Sequence, residues 1–324
     1  MSRRGEFDLI AQSLAPLSDA ARGLGLTDDA ALFNPAPGHT AVLSTDTLVA
    51  GVHFLPDDPP GDIARKALRV NLSDIAAMGA VPRGYLLNLS LPGDVADAWL
   101  DAFIAGLAAD QQVFGVTLLG GDTVRTPGPF TVSVTAIGEV RLGRAIKRAG
   151  AHMGDVVFVT GTIGDAVIGL RVLTEKTSLD PVDAKYVVDR YRLPQPRTTI
   201  GPHLVGLASA AIDVSDGLIA DLGHICETSS VGATISVGTL PLSIAGQAAI
   251  AGGQLTVTEA VSGGDDYELL FCAPPEARDA LGRLSATLDV QITEIGKIIA
   301  GAGVELIDGD GETVAIDRPG HTHF

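Results

Sequence analysis

The stretch "AIDVSDGLIADLG", residues 211–223, carries the pattern on which the fold assignment depends. A short apolar run ends at Asp213, Asp216 follows three residues later, and an amphipathic pattern that includes Leu218 and Leu222 comes next. The run predicts a strand and the later pattern predicts a helix, so both carboxylates lie where a strand leads into a helix. A solvated loop would explain one such pair. Similar acidic motifs recur along the chain, and this recurrence indicates a shared role.

Length and composition bound the fold class. A chain of 324 residues has room for two domains of about 100–200 residues each. Hydrophobic residues make up 46% and charged residues 19%, which is the composition of a globular protein. The 39 glycines and the low aromatic content of 4% suggest tight α/β packing with many turns.

The chain is strongly acidic, with a net charge of −17. Such a charge repels nucleic acid and anionic membrane surfaces, so neither is an expected partner. Phosphate ligands remain possible because a divalent metal ion can lie between two anions. The charge is equally well explained by solubility alone.

The two cysteines and the first residues indicate a cytoplasmic protein. Cys226 and Cys272 lie in apolar contexts without a CxxC motif, so we expect buried free thiols. Glu6 and Asp8 interrupt any signal-peptide core, and the sequence holds no apolar run of the ~18 residues that a membrane span needs.

Helical and strand patterns alternate over the first part of the chain. Apolar spacing predicts helices over residues 6–17, 62–80 and 95–115. Apolar and β-branched runs predict strands over residues 41–49, 84–92, 116–124 and 130–140. The basic stretch 141–155 is expected to join two domains. Beyond it we expect a strand at 156–161, a helix from Asp165 and an irregular segment at 190–197, which holds two prolines.

Neither common nucleotide-binding motif occurs in the sequence. The only Gly-Lys pair, Gly296-Lys297, is followed by Ile298, so there is no P-loop. No GxGxxG follows a predicted strand either. The glycines of "GGDT" (120–123) would let backbone N–H groups approach a phosphate, although a tight turn is the plainer interpretation.

Carboxylates recur beside predicted strands and are candidate metal ligands: Asp28, Asp29, Asp46, Asp74, Asp122, Asp213, Asp216, Asp265 and Asp266. Several aspartates that converge from scattered segments suit Mg²⁺, which prefers oxygen ligands and bridges to phosphates. For a single aspartate a helix cap or a turn is the simpler role. Asp46 and Asp213 are less easily explained in that way because each is expected to end a buried run, where an unpaired carboxylate is costly.

No covalent machinery is evident. His53 in "AGVHF" is as well explained by a packed, hydrogen-bonded histidine as by a catalytic one. The sequence contains no GxSxG nucleophile elbow, and neither cysteine lies in a catalytic signature.

Together these motifs resemble the thiamine-monophosphate kinase family. The similarity runs from end to end, through "GEFDLI", "DDAAL", "STDTLVAGVHF", "KALRVNLSDIAAMGA", "GGDT", "GDVVFVTG", "AIDVSDGLIADLGHI" and "SGGDDYEL" to a terminal "HF". The resemblance implies a two-domain α/β fold like that of aminoimidazole-ribonucleotide synthetase, with domains at 1–145 and 146–324. It also implies that an N-terminal mixed sheet pairs in a homodimer and that the C-terminal α/β domain completes a cleft in which ATP binds through Mg²⁺ ions.

The resemblance further implies the site residues. The metal ligands would be Asp29, Ser44, Thr45, Asp46, Asp74, Asp122, Asp213 and Asp216. ATP would contact Gly121, Asp122, Arg148 and Ser215, and thiamine phosphate would contact His53, Asp265 and Phe324. Asp265 stands where the family commonly has glutamate, and His321 stands where it usually has tyrosine.

The implied reaction is in-line transfer of a phosphoryl group from ATP to thiamine monophosphate. Its acceptor is a phosphate oxygen with a second pKa near ~6, so no general base and no covalent nucleophile is required. Three alternatives remain open: a related enzyme that activates a different acceptor, a phosphatase with an aspartyl-phosphate intermediate, and a catalytically silent nucleotide sensor.

Overall fold

The computed structural model describes residues 5–320, and the chain divides into two compact units. The first unit comprises the residues up to Ile75 together with Ala80–Gly143. The second comprises Ala76–Gly79 and the chain from Arg144 onward. Each unit combines a β-sheet with helices, so the α/β class predicted from the sequence is confirmed.

The first unit is built on a mixed sheet, as expected. Its strands are β1 (His39–Val49), β2 (Val81–Pro92), β3 (Thr117–Thr126) and β4 (Thr131–Arg141). They lie in the spatial order β1-β4-β2-β3, with β2 parallel to β3 and the other two pairs antiparallel. Strands β1 and β3 therefore form the two edges of this sheet.

One face of this sheet carries the core of the first unit. Alternate residues of β2, among them Tyr85, Leu87 and Leu89, are buried, as the two-residue period of a strand requires. The helices of this unit are α1 (Glu6–Leu9), α2 (Pro60–Ala77) and α3 (Asp97–Phe114). Gln111 of α3 donates to the Tyr85 hydroxyl at 3.1 Å, which fixes α3 on the buried face.

Three predictions for the first unit need correction. Residues 6–17 do not form one α-helix, because a π-helical segment (Ile10–Leu14) and a 3₁₀ turn (Ala15–Leu17) follow α1, and Pro16 has no N–H to continue the pattern. The pair Gly120-Gly121 lies within β3 and not in a turn. Asp46 lies in the middle of β1 and does not end it. Because β1 is an edge strand, its solvent-facing polar residues interrupt the apolar run before the strand itself ends.

The second unit is built on a larger, mostly antiparallel sheet. Its strands lie in the spatial order β11-β10-β7-β9-β5-β8-β6, and β7 and β10 form a parallel pair. Their bounds are β5 (Val156–Thr160), β6 (Ala210–Asp213), β7 (Gly232–Ser236), β8 (Leu269–Ala273), β9 (Ile292–Ile299), β10 (Gly303–Ile307) and β11 (Thr313–Val314).

Helices pack on both faces of the second sheet. They are α4 (Asp165–Leu173), α5 (Pro181–Arg192), α6 (Leu218–Ser229), α7 (Ile244–Ala251), α8 (Val257–Ser262) and α9 (Arg278–Leu288). Leu218 and Leu222 of α6 belong to one buried cluster, and Leu281 of α9 belongs to a second. The segment 190–197 is irregular only after Arg192, where α5 ends, so that prediction was placed too early.

Two further predictions are confirmed. The stretch 211–223 is a strand that leads through a short loop into a helix, namely β6 and α6. Cys226 and Cys272 are both buried and free. Within residues 5–320, the helices lack the combination of length and apolar character that crossing a bilayer requires.

Candidate active site

Two carboxylates of the first unit, Asp46 and Asp74, form a close pair. Asp46 lies on β1 and Asp74 on α2, and both are half-buried. The hydroxyl of Ser44, which lies on the same face of β1 as Asp46, donates to Asp74 Oδ2 at 2.5 Å. Asn71, one helical turn before Asp74, accepts the backbone N–H of Asp46 at 2.8 Å. These contacts fix Asp74 of α2 against β1.

The electrostatics of this pair favour a cation. Burial and the charge of Asp74 raise the pKa of Asp46 to about 6. Two ionised carboxylates this close repel each other, and a divalent cation between them would remove the repulsion. The oxygen donors of Asp46 and Asp74 therefore fit Mg²⁺.

Two other predicted ligands of the first unit are Asp29 and Thr45. Asp29 is exposed in a bend that precedes β1. Thr45 lies between Ser44 and Asp46 on β1, so its side chain is on the opposite face, where it accepts a hydrogen bond from the Thr135 hydroxyl at 3.0 Å. The structure therefore does not bring the Thr45 hydroxyl to the carboxylate pair.

Gly121 and Asp122 lie on the edge strand β3. A Cβ at Gly121 would fall 1.8 Å from the carbonyl oxygen of Leu87, so the close approach of β2 requires glycine here. Asp122 is exposed and in register with Asn88, whose side chain is exposed between buried neighbours. Its carboxylate is thus on the sheet face opposite to Asp46, and three strand spacings of about 4.8 Å separate β3 from β1.

His53 follows β1 and has a fixed ring orientation. Its Nδ1 accepts the backbone N–H of Val49 at 3.0 Å, so the neutral ring carries its proton on Nε2. The buried Lys66 donates to the backbone carbonyl of His53 at 3.0 Å. This arrangement makes Nε2 a positioned hydrogen-bond donor.

In the second unit a short acidic loop connects β6 to α6. Asp213 ends β6 and is buried. Asp221, in the first turn of α6, accepts three backbone N–H groups through Oδ2: from Ser215 at 3.0 Å and from Asp216 and Gly217 at 3.1 Å each. These three bonds hold the loop in one conformation and so fix the positions of Ser215 and Asp216.

Asp221 and His224 are candidate metal ligands that were not predicted from the sequence. Together with Asp216 each offers a ligand atom, and these atoms lie within 4.8 Å of one another. Burial and the charge of Asp216 raise the pKa of Asp221 to about 7, against the three N–H bonds that favour its ionised form. The available signal was the spacing of Asp221 and His224, which are three residues apart and so lie on one side of the predicted helix.

Asp265 lies beside this acidic loop. Its backbone N–H donates to the carbonyl oxygen of Ser215 at 2.9 Å. A Cβ at Gly264 would fall 2.3 Å from the same carbonyl oxygen, so the close approach of the two segments requires glycine. The predicted substrate residue Asp265 and the predicted metal ligand Asp216 therefore lie on adjoining segments of one unit.

The last predicted site residues are Arg148 and Phe324. Arg148 is exposed next to the C-terminal end of α6, where the Ser229 hydroxyl donates to its carbonyl oxygen at 3.4 Å. Phe324 lies outside the described residues, and so does His321.

These residues can bind and orient charged groups. Burial raises the pKa of Cys226 to about 11 and raises that of Cys272 further, so both thiols stay protonated at neutral pH. The candidate residues supply carboxylates, exposed backbone and a neutral imidazole donor. Such groups suit the binding of metal ions and phosphates.

Comparison with known proteins assigns this fold to a class. The family model of the AIR synthase related protein N-terminal domain matches residues 27–140, and that of the C-terminal domain matches residues 153–309. The chain therefore has both domains of the AIR synthase related proteins. Within that class it belongs to the thiamine-monophosphate kinase family, as its similarity to individual members shows.

Three members illustrate the similarity. The thiamine-monophosphate kinase of Salmonella typhimurium is 44% identical over 324 residues, which cover 99% of this chain and 98% of that protein. The crystal structure of thiamine-monophosphate kinase from Stenotrophomonas maltophilia is 42% identical, with a TM-score of 0.84 over 96% of this chain and 98% of that chain. AaThiL complexed with AMPPCP and TMP is 32% identical, with a TM-score of 0.80 over 100% and 99%.

Proposed function

We propose that this chain transfers the γ-phosphoryl group of ATP to thiamine monophosphate and releases thiamine diphosphate and ADP. The observation that carries this proposal is the similarity, over the whole chain, to AaThiL complexed with AMPPCP and TMP. AMPPCP is an analogue of ATP, so that protein holds both a donor analogue and the acceptor.

We assign Mg²⁺ binding to two acidic sets, one in each unit. The first consists of Ser44, Asp46 and Asp74, and the second of Asp213 and Asp216. Family resemblance also suggests Asp29, Thr45 and Asp122 as ligands, but the side chains of Thr45 and Asp122 are on the other face of the sheet and do not reach the same ion as Asp46 and Asp74 in this conformation. The proximity of Asp46 and Asp74, which raises the pKa of Asp46, supports the first set, because a metal ion removes the cost of two adjacent carboxylates. Bound Mg²⁺ would neutralise phosphate charge as donor and acceptor approach.

Catalysis then rests on positioning by the chain's own residues. The acceptor phosphate has a second pKa near ~6 and is largely ionised at neutral pH, so no residue has to remove a proton from it. Ser44 orients Asp74 through its hydrogen bond, and Asp221 orders the loop that carries Ser215 and Asp216. Positioned groups of this kind promote in-line transfer by fixing the reacting atoms.

We assign ATP contacts to Gly121, Asp122, Arg148 and Ser215, and thiamine phosphate contacts to His53, Asp265 and Phe324. The Nε2–H of His53 is a neutral donor suited to a phosphate oxygen. Asp265 is one methylene shorter than the usual glutamate, so we expect its contact with substrate to be shifted or bridged by water.

We further propose a homodimer formed by the open face of the first unit's sheet. This face is opposite to the core face and exposes Leu43 by 64% and Val124 by 46%. Hydroxyl groups lie between these apolar side chains, among them Thr45 and Thr47. We also propose a cytoplasmic location, because free buried thiols such as those of Cys226 and Cys272 suit a reducing compartment.

The proposed activity is tested by a discontinuous assay with ATP, Mg²⁺ and thiamine monophosphate. Thiamine diphosphate is measured as fluorescent thiochrome, and ADP is measured in parallel. Equimolar formation of both products, lost on addition of EDTA, is the expected result. ADP without thiamine diphosphate would identify a different acceptor, an acid-stable phosphoprotein would indicate the phosphatase alternative, and ATP binding without either product would indicate a sensor.

A further inference from the structure

The turn that carries Asp265 has an unusual backbone. Asp265 has a φ of 71° and Tyr267 a φ of 50°, so two non-glycine residues within three positions adopt the left-handed conformation. Each such residue costs roughly 1–2 kcal/mol relative to a right-handed one. Conformations of this kind persist only where the surrounding contacts determine them.

Backbone hydrogen bonds tie the turn to the acidic loop after β6. Asp265 N–H donates to the Ser215 carbonyl at 2.9 Å, and Tyr267 N–H donates to the Val214 carbonyl at 2.8 Å. In return, Val214 N–H donates to the carbonyl of Glu268 at 2.8 Å. The turn and the loop that holds Ser215 are therefore held in one register.

A buried carboxyl group, Asp266, anchors the middle of the turn. Its Oδ2 accepts the backbone N–H of Gly164 at 2.7 Å, and its Oδ1 accepts that of Ala166 at 3.2 Å. Both donors lie at the N-terminal end of α4, where free backbone N–H groups are available. The side chain of Asp266 thus points away from Asp265 and into the protein.

Glu268, at the end of the turn, is clamped by two arginines. Arg197 donates to both of its carboxylate oxygens at 2.5 Å, and Arg190 donates to Oε1 at 2.8 Å. The hydroxyl of Thr160 donates to Oε2 at 2.6 Å. Glu268 is fully buried, and the side chains of Arg190 and Arg197 are only 9% and 19% exposed. Arg190 also donates to the carbonyl of Asp266 at 3.3 Å.

We propose that Arg197, through Glu268 and together with Arg190, is a positioning residue for the substrate contact of Asp265. The arginine clamp holds the strained turn so that Asp265 stays in register with Ser215. A buried ion pair of this kind is poor evidence for stability, because the cost of removing its charges from water offsets their attraction. The four hydrogen bonds to the Glu268 carboxylate are instead suited to fixing the backbone of the turn in a single conformation.

This inference rests on the proposed function, since Asp265 is assigned there to thiamine phosphate. Loss of the clamp is expected to raise the KM for thiamine monophosphate by about tenfold or more, because a small misplacement of a binding group is costly. The KM for ATP is expected to change by less than about threefold, because the three N–H bonds to Asp221 hold Ser215 independently of the turn. Arg197→Lys keeps the charge but cannot bind both oxygens of Glu268, so its effect is expected to lie between wild type and Arg197→Ala.

The chain offers a matched control. Arg278 forms the same two-bond pair with Glu294, at 2.7 Å and 2.9 Å, but both side chains are about half exposed. Arg278→Ala is expected to leave both KM values unchanged. Added guanidinium ion is expected to restore part of the thiamine monophosphate affinity of Arg197→Ala and to have no effect on Arg278→Ala.

A second readout does not depend on catalysis. Hydrogen exchange of the backbone N–H groups of Asp265 and Tyr267 is expected to accelerate at least about tenfold in Arg197→Ala while the strands β5 and β9 keep their protection. Normal exchange at these two positions, or an unchanged KM for thiamine monophosphate in an active and folded variant, would overturn the positioning role. If the wild-type protein makes no thiamine diphosphate, the proposed function fails, while the exchange result still decides whether the clamp holds the turn.

Discussion

Asp46 is a half-buried carboxylate and Asp213 is a buried one, so the fold withdraws both from water to different extents. Asp213 lies at the end of β6, and the neighbouring charge of Asp74 raises the pKa of Asp46. The sequence singled out both residues because of their apolar neighbours. It could not indicate Asp74 as the partner of Asp46, since α2 and β1 meet only in the folded unit. The proposed cation would reduce the cost of burying each carboxylate.

Amide variants of Asp46 and Asp213 test the proposed metal sites. Asp46→Asn and Asp213→Asn keep the size of each side chain but weaken metal binding, so each is expected to lower kcat/KM by more than about 100-fold. The thiochrome assay at saturating Mg²⁺ measures this loss, and circular dichroism checks the fold. Asp94→Asn, in an exposed turn, is the control and is expected to be fully active. Near-normal activity of either variant would contradict its ligand assignment.

The second residue-scale prediction concerns pH and stability. Burial and the neighbouring charge of Asp165 raise the pKa of Asp266 to about 8, against its bonds to Gly164 and Ala166 and the charge of Arg190. The folded state therefore binds a proton that the unfolded chain, with a pKa near ~3.9, releases. The resulting stability is complete below pH ~3.9 and is lost as the pH rises through about 8.

The test for Asp266 is urea unfolding of the wild type and of Asp266→Asn between about pH 5 and pH 8. The difference in unfolding free energy between the two proteins is expected to fall by up to about 1.4 kcal/mol per pH unit, because only the wild type has the titrating group. Other acidic groups titrate in both proteins and cancel in the difference. A difference that does not vary with pH would show that Asp266 is ionised throughout.

The bounds of individual helices and strands could be predicted where the spacing of apolar residues determines the element. Strands β1, β2 and β4 and helices α2 and α3 lie within a few residues of the predicted bounds, because their apolar spacing follows one buried face. Gly120-Gly121 was assigned to a turn because glycine is common there. In the structure a close approach of the neighbouring strand β2 requires Gly121. The local sequence does not show which strands approach each other closely, so this role of Gly121 could not be predicted.

The element-scale prediction compares the two adjacent glycines of β3. A Cβ at Gly121 would meet the Leu87 carbonyl oxygen at 1.8 Å, whereas a Cβ at Gly120 would lie 3.4 Å from a Leu86 methyl group. Gly121→Ala is therefore expected to destabilise the pairing of β2 with β3 by about 2–4 kcal/mol, and Gly120→Ala by less than about 1 kcal/mol. Thermal unfolding measures both variants. Equal melting temperatures would show that β2 and β3 are not held this closely.

Across the whole molecule, the contacts that could not be predicted from the sequence are those between residues far apart in the chain. Arg197 and Glu268 are 71 positions apart, and no spacing rule connects them. Family resemblance supplied the site residues as a set, but it did not indicate the contacts that fix them, such as the three N–H bonds to Asp221. The acidic loop after β6 and the turn at Asp265 could be located in the sequence, whereas the groups that hold them in place became evident only from the fold.

The whole-molecule prediction concerns association through the open face of the first sheet. Leu43 lies on the edge strand β1 and is 64% exposed, which suits a side chain that a second copy covers. Leu43→Glu would place a charge in that interface and is expected to raise the dimer dissociation constant by about 100-fold or more. Light scattering after size exclusion, at several protein concentrations, measures the shift from dimer to monomer.

Val113→Glu is the matched control, because Val113 is 66% exposed on α3 and lies outside this face, so that variant is expected to stay dimeric. A monomeric wild type, or a Leu43→Glu variant as dimeric as the control, would show that this face does not join two copies.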